Sequence, residues 1–198
     1  MGSFKSLASQ QVGMAATTNG PRGRRATAVR GAAIGVVAFL AGYLVAFLTA
    51  ASVVRRVARA FRPLAEAGGR FVPGWKAAGW AFLDGHFVGT TYPGGTVDMV
   101  AMGSVEFLYL VPPLLLLLAG GVLAWAGGST TPRDGLNRGM AVAVGYLPMA
   151  VIFAVLLRHA NVQPSLLRAL VVAGLVYPVA FGGIGGALAG VVAEEGAA

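Results

Sequence analysis

Four stretches of this chain each run for 18 residues or more without a charged side chain: Gly31 to Val54, Phe107 to Ala126, Met140 to Leu157 and Ala169 to Val192. As helices they would be roughly 27 to 36 Å long at 1.5 Å per residue, enough to cross a hydrocarbon core of about 30 Å. Core helices of soluble domains are seldom uncharged over that length, and here the pattern occurs four times in one small protein. The expected fold is therefore all-α: an integral membrane bundle of four transmembrane helices, with lipid as the first partner.

Composition supports this. Of 198 residues, 11% are charged and 57% hydrophobic, with a mean hydropathy of +0.74. The surface of a soluble domain uses roughly 25% charged residues, so most of this surface must meet something other than water. The excess of 15 Lys and Arg over 7 Asp and Glu borders the apolar runs and does not interleave with aromatics on a soluble face. It reads as anchoring to anionic headgroups, not as a nucleic-acid interface. Zero Cys excludes disulfides, thiolate metal sites and a Cys nucleophile.

Residues 1–29 are small, polar and basic, and read as a disordered basic tail before a transmembrane domain over 30–193 and a short acidic tail at 194–198. Arg24 and Arg25 precede the first run as they would a signal peptide, but its apolar length is about twice that of a cleaved signal. Arg55, Arg56 and Arg59 follow the run at headgroup level as interfacial anchors, and the helix is expected to stop near Pro63. Four spans place both termini on one side. Lys and Arg number seven on that side and eight on the other, so charge alone leaves orientation open. The precedence of the first helix favours a cytoplasmic N-terminus.

The long connection between the first two runs carries "WKAAGWAFLDGHFVGTTYPGG", residues 75 to 95. A helix over 73–88 would align Trp75, Gly79, Phe82 and His86 on one face, with Trp80 broadening the apolar area. Trp75 and Trp80 suit the headgroup zone, so the segment is expected to lie on the membrane surface or to dip into it as a re-entrant helix. Asp84 and His86 form the sharper alternative, a proton-transfer or metal pair. Two residues apart they do not share a helix face, although the turn before Gly85 and Gly89 offers a way to converge. "TTYPGG" reads as a turn, with Pro93 fixing φ and Gly94 supplying a positive φ. "GGSTTPRDGLNR" reads as a polar loop with an Asp-Gly turn.

Polar groups inside lipid are costly, and the runs contain few of them. Glu106, at the mouth of the second run, is the carboxylate nearest a span. Tyr109, Tyr146 and Tyr177 each stand just before proline, in "YLVPP", "YLP" and "YP", so Pro112, Pro113, Pro148 and Pro178 are expected to kink three spans near one mid-membrane tier. Gly182, Gly186 and Gly190 recur every four residues, as do Ala38, Gly42, Ala46 and Ala50, making flat faces for close helix contact within one chain or between copies. Phosphate-cradling, HExxH and GxSxG motifs are missing, so no cofactor, metal or catalytic residue is assigned.

In combination, "WKAAGWAFLDGHFV", "EFLYLVPP", "GYLP" and "VYPVAFGGIGG" resemble small, uncharacterised multi-pass membrane proteins of halophilic archaea, a family classed as a domain of unknown function. The resemblance covers residues 30 to 192 and implies a membrane location without an activity. Three readings stay open: a non-enzymatic protein that packs with itself or a membrane partner, a small transporter or channel using the proline tier and Glu106, and an interfacial enzyme using Asp84 and His86.

Overall fold

The computed structural model describes residues 21–196. Four helices in it are long and apolar enough to cross a membrane, spanning Gly23–Ala60, Glu106–Ala126, Pro132–Leu156 and Leu166–Glu195. Residues 1–20, most of the expected disordered tail, lie outside the described residues. The rest of that expectation is corrected, because helix α1 (Pro21–Ala60) already begins at Pro21. It continues through Arg55, Arg56 and Arg59, all exposed on its last turns. The helix breaks where Phe61 turns extended (φ −76°, ψ 101°), and Pro63 then stands in the first turn of α2 (Arg62–Glu66), where a missing N–H costs nothing.

After a 3₁₀ turn over Gly69–Phe71, helix α3 (Gly74–Asp84) enters the bundle. Every residue from Ala77 to Asp84 is buried, so α3 is not amphipathic over this length. The surface-lying, one-faced helix expected from the sequence is thereby corrected to a helix packed on all sides. Trp80, expected as an interfacial anchor, is fully buried, and its indole Nε1 donates to the Leu157 carbonyl at 3.0 Å. Trp75 remains exposed, with Lys76 Nζ over its ring at 5.2 Å, and its carbonyl accepts from the Tyr43 hydroxyl at 3.1 Å.

A small sheet follows. Strands β1 (Thr90–Tyr92) and β2 (Gly95–Val97) form an antiparallel hairpin, and β3 (Gln163–Pro164) adds to the other edge of β1, giving the order β2-β1-β3. Pro93 and Gly94 make the turn as expected, but the positive φ falls on Gly95 (145°), not on Gly94. Helix α4 (Met99–Gly103) and a 3₁₀ turn over Glu106–Tyr109 lead into α5 (Val111–Ala126). Pro112 and Pro113 lie in the first turn of α5, so they start this helix and do not kink it.

The third long helix starts earlier than its apolar run. Helix α6 (Pro132–Gly139) opens on Thr131, whose hydroxyl accepts from Asp134 N at 3.3 Å, and passes through a 3₁₀ turn into α7 (Ala143–Leu156). The expected Asp-Gly turn at 134–135 is thus helical. Gly135 serves close packing there: a Cβ on it would lie 2.1 Å from the Gly186 carbonyl oxygen. The fourth long helix begins with α8 (Leu166–Arg168), continues as two π-helical stretches, Ala169–Val176 and Pro178–Gly182, and ends as α9 (Gly183–Glu195). Pro178 has no N–H to donate, and a π-helical register is one way in which an apolar helix absorbs that loss.

Phe39 of α1 centres the core, with edge-to-face contacts to Phe82 of α3, Tyr146 of α7 and Phe153 of α7 at ring-centroid distances of 5.0, 5.0 and 4.9 Å. Gly42 makes room for α3, since a Cβ there would sit 2.6 Å from the Phe82 ring. The glycine face of α9 is filled by the chain itself. Added Cβ atoms at Gly186 and Gly190 would meet the carbonyl oxygens of Gly135 and Thr131 at 2.1 and 2.3 Å, and one at Gly182 would meet that of Gly139 at 2.7 Å. The outer surface is markedly apolar: Leu48, Leu118, Leu167 and Val192 are each about two-thirds or more exposed.

Candidate functional site

The C-terminal end of α3, the turn after it and the start of β1 insert three buried polar side chains, Asp84, His86 and Thr90, among apolar helices. Helix geometry explains how His86 is held. The His86 backbone N–H turns to the Leu83 carbonyl, leaving the Phe82 carbonyl at the end of α3 for the imidazole, whose Nδ1 lies 2.8 Å from it. A carbonyl only accepts, so Nδ1 carries the proton and Nε2, in the neutral ring, accepts from the Tyr146 hydroxyl at 2.7 Å. Burial pushes the imidazole pKa down to about 4, with the bond to Phe82 opposing, so the ring is neutral at physiological pH. Phe82 packs edge-on against His86 at 4.9 Å, and Tyr177 lies 5.0 Å away across the bundle.

Asp84 is anchored differently. Its Oδ2 accepts the Met99 N–H at 2.8 Å and the Thr90 hydroxyl at 3.1 Å, fastening the hairpin and α4 to the tip of α3. Burial raises its pKa to about 8; Asp98 nearby adds to the rise, and the Met99 and Thr90 bonds oppose it. Asp98 caps α4 by accepting from Val100 N at 2.8 Å and Ala101 N at 3.1 Å, and its Oδ2 accepts the Tyr109 hydroxyl at 2.7 Å. Two aspartate side chains therefore serve the first three N–H groups of α4.

Between these groups the chain turns through Phe87 in the left-handed region (φ 59°), which sends this ring outward to stack on Tyr109 at 5.0 Å while His86 points inward. Such a φ is uncommon for a bulky residue and persists only where its surroundings hold it. The insertion is deep: Tyr146 lies ten residues before the end of α7, about 15 Å along the helix.

A family model matches residues 10–193. The chain belongs to DUF7978, a family of unknown function. No curated protein and no solved structure matches it. The DUF7978 match starts inside the basic tail, at residue 10, ahead of the resemblance over residues 30 to 192, so the family pattern includes part of that tail.

Within the DUF7978 fold the expected site residues separate into groups. Tyr146 and Tyr177 converge on His86, whereas Tyr109 binds Asp98. Glu106 is exposed at the start of its 3₁₀ turn, away from the buried cluster. Pro148 is the one of the four prolines past the first turn of an α-helix, on the exposed side of α7. Asp84 and His86 are both fully buried but spend their hydrogen bonds on different elements. Among the described residues no three His, Asp or Glu side chains gather as metal ligands. Sequence reading missed the roles of Thr90 and Asp98. The signal for Asp98 was an Asp directly before an apolar helical turn; that for Thr90 arises only when the hairpin folds back.

Proposed function

We propose that this is a multi-pass membrane protein, with both termini on the cytoplasmic side, in which four spans hold α3 as a re-entrant helix, and that it acts as a non-enzymatic membrane scaffold. The observation that carries this reading is the closed hydrogen bonding at the tip of α3. Both ring nitrogens of His86 are engaged by Phe82 and Tyr146, and Asp84 is engaged by Met99 and Thr90. A catalytic base or nucleophile needs an unspent polar atom facing a substrate, whereas these atoms fasten one element to another. The apolar outer surface supports embedding, since contiguous exposed apolar area of this kind is costly in water. An archaeal source rests on the quoted motifs alone.

A second reading is favoured by one feature. Two π-helical stretches flank Tyr177 beside His86, and π segments recur at functional sites. In that reading a proton binds Asp84, not the exposed Glu106, and couples to transport. Purified protein in proteoliposomes distinguishes the two by a pH-sensitive dye. The scaffold reading predicts proton flux equal to that of empty liposomes; flux abolished by Asp84→Asn would replace it with the transport reading. Alkaline carbonate extraction tests embedding separately, and release of the protein into the supernatant would end both.

A further inference from the structure

A groove between α1 and α5, of about 350 Å³, is lined by apolar side chains, among them Ala33, Val37 and Ala41 of α1 and Leu115 and Ala119 of α5. The alanines leave it open: where larger side chains would close the two helices, these leave a channel about 12 Å long from residue 33 to residue 41 at 1.5 Å per residue. Beyond one end of it stands Arg30, one helical turn before Ala33 and Ile34. Arg30 Nη1 lies 3.5 Å from the Ala126 carbonyl at the end of α5, and Arg25 and Arg30 together border a surface depression of about 380 Å³. Among the described residues neither arginine is in an ion pair, the pairs being Arg62–Glu66 and Arg138–Asp134.

We propose that this groove binds one anionic phospholipid, with an acyl chain along the alanine-lined walls and the phosphate against Arg25 and Arg30. Charge selects the occupant. A comparable apolar groove between α5 and α9, of about 480 Å³, is lined up to Val192, next to Glu194 and Glu195. Its mouth repels the same headgroup, so the molecule carries its own control. Guanidinium groups at the headgroup level hold phosphate through fork-shaped donors and charge together.

The inference rests on the membrane-embedded reading above. The test is native mass spectrometry of the full chain extracted from vesicles of equal parts dioleoyl phosphatidylglycerol and dioleoyl phosphatidylcholine. The intact protein is expected to retain one phosphatidylglycerol in preference to phosphatidylcholine. Arg25→Ala combined with Arg30→Ala should lower that preference by about thirtyfold, the effect of two basic residues at a membrane surface. Arg30→Lys should keep most of it. Ala33→Leu, which fills the groove and leaves the charge, should reduce retention, and Ala189→Leu in the α5/α9 groove should not. Equal retention of both lipids by the intact protein would overturn the proposal, as would unchanged preference in the double variant. A preference untouched by Ala33→Leu, or displaced by inorganic phosphate, would show surface charge attraction and also overturn it. Recovery of the protein without detergent and with neither lipid would instead sink the membrane reading itself.

Discussion

Gly120 and Gly121 are neighbours on α5, yet a methyl group should act oppositely at the two. A Cβ at Gly120 would stand 1.9 Å from the Gly182 carbonyl oxygen, while one at Gly121 would stand 3.4 Å from that of Gly185. The second distance is ordinary contact; the first falls short of it by 3.4 − 1.9 = 1.5 Å. The obstacle is backbone, which cannot rotate aside, and Gly182 also faces the Gly139 carbonyl of α6. For Gly120→Ala to fit, α5 must withdraw from a junction of three helices. Overpacking costs about 1–3 kcal/mol, and an overlap with backbone belongs in the upper part of that range, about 2–3 kcal/mol, against about 1 kcal/mol gained from the better helix propensity of Ala. The net loss is about 1–2 kcal/mol, or a fall of roughly 2–8 °C in Tm for a chain of this size. Gly121→Ala keeps the propensity gain without the clash and should leave Tm unchanged or slightly raised. Thermal unfolding of the detergent-solubilised variants measures both. Equal falls, or a neutral Gly120→Ala, would refute the close approach of α5 to the fourth long helix.

Trp80→Phe removes the indole donor from the Leu157 carbonyl and should cost about 1–2 kcal/mol, seen as a lower Tm. Tyr146→Phe keeps the ring against Phe39 but leaves His86 Nε2 without its donor; a loss of about 1–3 kcal/mol is expected in the same assay, and no loss would mean that the bond contributes nothing. The pH dependence follows from two opposite shifts. Asp84 binds its proton more tightly in the fold, so its contribution is full below about pH 4 and is lost as pH rises toward 8. His86 binds its proton less tightly, so its contribution is full above pH 6.5 and is lost as pH falls toward 4. Between pH 4 and 6.5 the two oppose; between 6.5 and 8 Asp84 acts alone, and Tm should fall with rising pH. Asp84→Asn keeps the shape of the protonated side chain and should flatten that fall, whereas a Tm slope unchanged by it would assign the dependence to other groups.

The four long helices were legible because uncharged length is a signal that needs no tertiary context. Their boundaries were less so. The span through α6 begins at Pro132 because Thr131 caps it and because Gly135 and Gly139 meet α9, a purpose of glycine that a linear reading assigns to a turn. The segment at 74–84 was seen as special, but its surface-lying and re-entrant placements could not be told apart in the sequence. Trp, Lys and Asp together look interfacial by composition, and only packing against α1 and the end of α7 shows that Gly42 admits Phe82 and that the Leu157 carbonyl receives Trp80. The candidate site was half visible. Asp84 and His86 stood out as ionisable residues in an apolar chain, but their partners, Thr90, Met99, Phe82 and Tyr146, lie from four to sixty residues away, and the pairing depends on the fold.

The central claim, that α3 enters the bundle from one side and returns to it, is tested by single cysteines in this Cys-free chain. Arg70→Cys and Thr96→Cys flank the inserted segment, and Thr130→Cys and Glu195→Cys lie at the opposite end of the bundle; all four sites are exposed. An impermeant maleimide applied to intact cells should label the first two together and neither of the others until the membrane is opened. If positions 70 and 96 label from opposite sides, α3 crosses the membrane and the re-entrant account is wrong.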